Sequence, residues 1–123
     1  MKVMRVEDAP AVTTPNAVMR TYASPATNGA AVAVWRTEMA GGAQGPRHVV
    51  SEDQVLVVLE GEASVDLDGQ TMVLGSGDSV LLPRGVERVV ASRGRPLTML
   101  TCGVPAASAT VDGGEPVAIP WTR

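Results

Sequence analysis

Thirteen glycines and nine prolines break this 123-residue chain into short segments, and no segment holds a convincing helical period of apolar residues. Short segments closed by turn residues point to many strands rather than to helices. Ala30–Met39 alternates, with Ala31, Ala33, Trp35, Thr37 and Met39 on one face and Val32, Val34, Arg36 and Glu38 on the other. Ala63–Leu67 alternates as cleanly, Asp68-Gly69 marks a tight hairpin turn, and Gln70–Leu74 returns. Gln54–Glu60 and Ser79–Leu82 are dense apolar runs, as expected of strands buried on both faces. Ala17–Ala23, Val86–Ala91, Leu97–Cys102, Ala109–Val111 and Val117–Ile119 read as further strands. Residues 1–16 read as irregular, with Val3 and Val6 either in a short edge strand or in a tail over the barrel. Ser24–Gly29 reads as a turn and Ala40–Pro46 as a Gly-rich loop. Nine or ten short strands imply a closed β architecture, and periodicity alone leaves sandwich, jelly roll and barrel open.

The chain is long enough for one domain with a real core. It has no Phe, two Trp and one Tyr, so that core is built from Val, Leu, Ala and Met. Its net charge of −3 is unevenly spread: residues 51–83 carry seven acids and no Lys or Arg. Overall acidity argues against a nucleic-acid partner, which needs a concentrated basic surface. No apolar run is long enough to span a membrane, and the N-terminus lacks the apolar stretch of a signal peptide. With Cys102 as the single cysteine, no intrachain disulfide forms. A reduced, cytoplasmic protein is the simplest expectation.

Two stretches carry a more specific pattern. The first runs Gly45-Pro-Arg-His48-Val-Val50-Ser-Glu-Asp-Gln54 and closes at Gly61. The second runs Gly77-Asp78-Ser-Val-Leu-Leu-Pro83-Arg-Gly85-Val-Glu-Arg88. Together they resemble the two motifs of the cupin family, over roughly Ala30 to Cys102. The resemblance implies an all-β double-stranded β-helix, a jelly-roll barrel with an internal pocket. It also implies a single domain over 1–123, with an N-terminal extension at 1–16, a barrel core at 30–102 and a C-terminal tail at 103–123. Small cupins are commonly homodimers, so a homodimer is expected, with an exposed strand edge or the tail around Trp121 as its interface.

In metal-binding cupins two histidines, an acid and a third histidine point into the barrel. By spacing, the resemblance places His48, Val50, Gln54 and Arg88 at those positions. One histidine cannot make a zinc or non-haem iron site within one subunit. Val50 cannot ligate, Gln54 is a weak neutral ligand, and Arg88 would repel a cation. No metal and no cofactor is therefore expected. The same set suits a small anionic or carbonyl-bearing ligand: Arg88 as anion clamp, His48 as proton donor or acceptor, Gln54 as both donor and acceptor. The bland alternative pairs Arg88 with Glu87 or Glu52 at the rim and leaves His48 structural. Trp35 either walls the pocket or fills core volume. Met72 and Met99 either line a plastic pocket or fill gaps, and Cys102 is expected to be a small core hydrophobe rather than a nucleophile.

Three functions are compatible with these residues. One is a metal-free barrel that binds a small molecule. Another is a metal-independent isomerase, lyase or cyclase using His48 and Arg88. The third is a dioxygenase-like metal enzyme with unidentified ligands.

Overall fold

The computed structural model describes residues 1–123. Twelve strands follow in order: β1 (Ala11–Thr13), β2 (Val18–Ala23), β3 (Ala33–Met39), β4 (His48–Val50), β5 (Gln54–Glu60), β6 (Ala63–Leu67), β7 (Gln70–Leu74), β8 (Ser79–Leu82), β9 (Arg88–Ser92), β10 (Leu97–Gly103), β11 (Ser108–Val111) and β12 (Val117–Ala118). They form two six-stranded sheets, ordered β1-β2-β3-β10-β5-β8 and β12-β11-β4-β9-β6-β7. Every strand pair is antiparallel. The two sheets face each other as a jelly roll, one of the closed β architectures that the short alternating segments left open and the one that the motif resemblance implied.

Alternation decides what goes inside. On β6, Ala63 and Val65 are fully buried while Ser64 and Asp66 face out. The β6–β7 hairpin turns at Asp68 and Gly69, both at positive φ (50° and 83°), and the Asp66 carboxylate accepts the Gly69 N–H at 2.9 Å. Nine residues from both sheets, among them Met39, Leu56, Val58, Val65, Leu97 and Met99, form the main core. Two smaller clusters, Met19-Ala33-Trp35 and Val50-Ala107-Ile119, are joined by Trp121, which packs against both.

Several sequence expectations need correction. The dense run Gln54–Glu60 is buried on one face only: Gln54, Leu56 and Val58 are inside, but Val55 and Leu59 are 43% and 42% exposed. Leu81, in the second dense run, is 53% exposed. No layer of this chain covers that side of the sheet, so apolar density there does not signal burial. Cys102 is exposed on the same side and is no core residue. The N-terminal strand is Ala11–Thr13, and Val6–Asp8 forms a 3-10 turn instead of pairing at an edge. Within Ser24–Gly29, Pro25–Asn28 closes one helical turn. Ser24 caps it by accepting the Thr27 N–H at 3.1 Å. The loop after β3 ends in a strand, β4, that no alternating pattern marked. No helix is long and apolar enough to cross a membrane.

Candidate functional site

A cavity of about 380 Å³ opens between the sheets above the main core. Met39, Leu56, Leu82 and Met99 belong both to that core and to the cavity, and form its floor. Val50, 1% exposed, and Trp35, 5% exposed, add apolar wall. The face of β3 left open by the sequence is thereby settled: Trp35, Thr37 and Met39 line the cavity, while Arg36 and Glu38 pair with each other outside it (2.9 Å). Glu38 also receives Arg20 at 3.2 Å, and the Arg36 hydrogen bond holds its carboxyl below the usual range.

All five residues expected at the site, Trp35, His48, Val50, Gln54 and Arg88, line this one cavity. Their convergence follows from register. His48 on β4 pairs directly with Arg88 on β9, and Gln54 on β5 pairs with Leu82 on β8 and Gly103 on β10. A Cβ on residue 103 would stand 3.2 Å from Cγ of Gln54, so glycine there leaves room for the glutamine. Two further segments complete the walls. Thr14–Ala17, before β2, and Val117–Trp121, at the C-terminus, both reach the cavity. Met19, Met39 and Met99 also line it, whereas Met72 is 41% exposed and stands outside. Parity with Trp35 identifies Met39 from the sequence. Nothing in the local pattern marks the two terminal segments as cavity wall.

Arg88 dominates the electrostatics. It is 0% exposed, the largest fully buried side chain of the chain. Its Nη2 donates to the Pro83 carbonyl at 2.6 Å, while Nε and Nη1 are buried with no hydrogen-bond partner. The expected rim pairing with Glu87 or Glu52 does not occur. Strand alternation turns Glu87 to the outside, where it takes Arg47 at 2.8 Å. No Asp or Glu lines the cavity, so Arg88 is its one full charge. Burial pushes the Arg88 pKa down, but a guanidinium keeps its proton.

His48 Nδ1 lies 2.9 Å from the Pro46 carbonyl oxygen. A carbonyl can only accept, so this contact selects the Nδ1–H tautomer and leaves Nε2 with a lone pair. Burial lowers the His48 pKa, the Pro46 carbonyl opposes that, and the Arg88 charge adds to the lowering. The ring is therefore neutral at pH 7, beside a fixed cation. A metal does not fit here. The inward positions offer one imidazole nitrogen and one amide, set against a guanidinium. Nowhere do three His, Cys, Asp or Glu side chains converge to hold an ion.

Against known families, the cupin domain profile matches residues 35–103. The chain belongs to the cupin family. A comparison with curated protein sequences finds no match. Among solved structures this cupin superposes on the polyketide cyclase RemF of Streptomyces resistomycificus (TM-score 0.74, 22% identity, 85% of this chain and 79% of that one). It superposes equally on an RmlC-like cupin from Shewanella frigidimarina (0.74, 21%, 86% and 92%). Salicylate 1,2-dioxygenase from Pseudoaminobacter salicylatoxidans matches at TM-score 0.72 and 19% identity, over 87% of this chain but 32% of that one. At these identities the likeness is one of fold. Enzymes of different chemistry thus share the barrel, and the cavity side chains must decide what this cupin does.

Proposed function

We propose that this cupin, as one domain over residues 1–123, binds without a metal a small, largely apolar molecule bearing a carboxylate or similar anionic oxygen group. The observation that carries this reading is Arg88: a fully buried cation with unpartnered Nε and Nη1, in the wall of a cavity that holds no acid. A buried charge without a counter-charge is costly, and a bound anion supplies one. The apolar floor and Trp35 take up the rest of the ligand. The Gln54 amide offers a neutral donor and acceptor beside it. An unpaired, exposed Cys102 suits a reducing, cytoplasmic setting.

The test is a thermal-shift and Trp-fluorescence screen of small aromatic and aliphatic carboxylates, each set against its uncharged amide. Carboxylates should raise the melting temperature by mass action and the amides should not. Arg88→Met should weaken a bound carboxylate by about 2–3 kcal/mol, the worth of a hydrogen bond to a charged group. Equal binding of acid and amide, or binding unchanged by Arg88→Met, would refute the anion clamp. Elemental analysis of the untagged protein should find far less than one metal per chain; one equivalent of iron, manganese, zinc or nickel would overturn the metal-free reading.

A second reading, metal-independent isomerisation, elimination or cyclisation, is favoured by one specific observation. His48 presents a neutral Nε2 lone pair across a register pair from Arg88. A base beside a cation can remove a proton while the cation stabilises the oxyanion that forms. His48→Gln would then abolish turnover of a compound that still binds; turnover that survives the substitution excludes this role.

A further inference from the structure

Of the three buried threonines, Thr21 and Thr122 bond their hydroxyls within the protein, to the carbonyls of Trp121 and of Pro105 and Ile119. Thr101, equally buried but in the cavity wall, has no partner in the protein. Nor has the buried Gln54 amide or the half-buried Thr37 hydroxyl, both in the same wall. Register sets these three side chains on one line. Trp35, Thr101 and Leu56 form one inward row across β3, β10 and β5. Thr37, Met99 and Val58 form the row on one side of it, and Ala33, Gly103 and Gln54 the row on the other. Thr37, Thr101 and Gln54 therefore run diagonally over three adjacent strands, with about 7–8 Å between Cα atoms at each step. The Gln54 side chain lies over Gly103, where a Cβ would stand 3.7 Å from its Nε2, and so leans toward the strand that carries Thr101. Arg88 stands at the Gln54 end. Its Nη2 bonds the carbonyl of Pro83, the residue after Leu82, and Leu82 pairs with Gln54. Trp35 and Leu56 flank Thr101, and Met99 flanks Thr37, so the line is bordered by apolar side chains.

We infer, resting on the Arg88 clamp proposed above, that this diagonal reads neutral oxygens of the ligand, which is a hydroxy- or keto-substituted carboxylic acid, oxygenated along one edge and apolar elsewhere. A hydroxyl shut into an apolar wall is unfavourable until something bonds it, and valine has the same shape without the hydroxyl. Packing between Trp35 and Leu56 therefore does not call for threonine at position 101, whereas a ligand oxygen there completes it. Hydroxyls and the glutamine amide each donate and accept, so the line takes alcohol and carbonyl oxygens alike. It carries no charge, so it adds nothing to the hold on the anion itself; that falls to Arg88 at its end. Such a wall discriminates among acids, because one that lacks the oxygens leaves the buried groups unpaired. A plain fatty or aromatic acid suits the cavity floor and Arg88 but leaves the diagonal unmet.

Calorimetry of the full chain with matched acids tests this: phenylacetate against its ring-hydroxylated forms, octanoate against its hydroxy and keto derivatives, and the amide of each. In at least one series the best oxygenated acid should bind at least about 10-fold more tightly than its parent, through the added hydrogen bond and the buried partners it satisfies. Thr101→Val and Gln54→Met should each bring that ratio toward one. Thr101→Ser, which keeps the hydroxyl, should retain it. Arg88→Met should weaken parent and oxygenated acid alike and leave the ratio standing. Both test substitutions nearly keep side-chain size, and circular dichroism checks the fold; should Gln54→Met not fold, the two Thr101 variants decide. The amides separate the two readings. Oxygenated amides preferred over plain ones, with acids no better than amides, would sink the Arg88 clamp alone. Acids preferred over amides, with no gain from added oxygens in either series, would sink the diagonal alone. A preference for oxygenated acids that survives Thr101→Val and Gln54→Met combined also overturns the diagonal, and a chain that binds none of these compounds overturns both.

Discussion

A buried arginine with one partner works against the stability of the empty protein, and that gives Arg88 a measurable signature. Replacing buried charges by apolar groups of similar size is often stabilising by about 1–4 kcal/mol. Arg88→Met forfeits the 2.6 Å bond to the Pro83 carbonyl but also removes a desolvated cation. The unliganded variant should therefore be more stable than wild type by about 1 to 2 kcal/mol in urea denaturation, while losing the anion. A purely structural arginine would show the opposite sign. His48 supplies a second signature. Folding lowers its pKa, so the unfolded chain takes up the proton first. The stability contributed by the neutral ring is complete above the ordinary value of about 6.5 and is lost as pH falls toward the lower folded value. NMR titration of this single histidine should give a midpoint below about 6.5 with Nδ1 protonated. An anion bound at Arg88 should raise that midpoint by cancelling the neighbouring charge, and by linkage should bind more tightly as pH falls through it. A midpoint unmoved by the ligand would separate the two residues electrostatically. At this scale the sequence was informative about identity and silent about pairing. Motif spacing is enough to bring His48, Gln54 and Arg88 together, because register in a closed barrel follows from chain length between corners. Whether Arg88 meets a carboxylate depends on which way Glu87 faces and on Arg47, forty positions upstream, and no local pattern carries that.

Corners decide how the strands are joined, and the motif glycines are not equivalent there. Gly61, between β5 and β6, has φ 86°, and a Cβ built on it would collide with the Pro96 carbonyl oxygen. Gly77 has a similar φ of 89° but open space around it. Gly77→Ala thus carries only the backbone strain, about 1–2 kcal/mol. Gly61→Ala adds a backbone clash that no side-chain rotation relieves, and should cost at least about 3 kcal/mol. Equal urea midpoints for the two variants would mean that the β5–β6 corner yields more easily than its contacts with Pro96 imply. The strands flanking these corners were legible wherever one face is polar, as in β3, β6 and β7. Two kinds of element were not. β4 is three residues long, and a period of two cannot show itself in His48-Val49-Val50. β5 and β8 are apolar on both faces, which in a single chain reads as double burial. The chain leaves one of those faces uncovered, so apolar density by itself does not report burial.

The whole molecule closes its cavity with its two ends. The segment before β2 and the last residues of the chain both line it, and they are tied together where the Thr21 hydroxyl donates to the Trp121 carbonyl at 2.7 Å. The final turn is anchored: the Thr122 hydroxyl reaches the Pro105 and Ile119 carbonyls at 3.0 and 2.9 Å, and Arg123 reaches Ala107 at 3.2 Å. Trp121 itself joins the two minor clusters, one on each sheet, and takes no part in the main core. Removing its ring should therefore loosen the cavity end of the barrel and leave the packed end intact. Trp→Ala in a full core costs about 3–5 kcal/mol, and this half-buried ring should cost about 2. Native-state hydrogen exchange of Trp121→Ala should show the loss concentrated in β2, β4 and β11, with β5, β6 and β10 still exchanging only on global unfolding. A carboxylate held at Arg88 should leave faster from this variant, while its entry, already open at the mouth, should change little. A uniform rise in exchange across both ends would make Trp121 part of one cooperative core and remove the tail's separate role as the cavity wall.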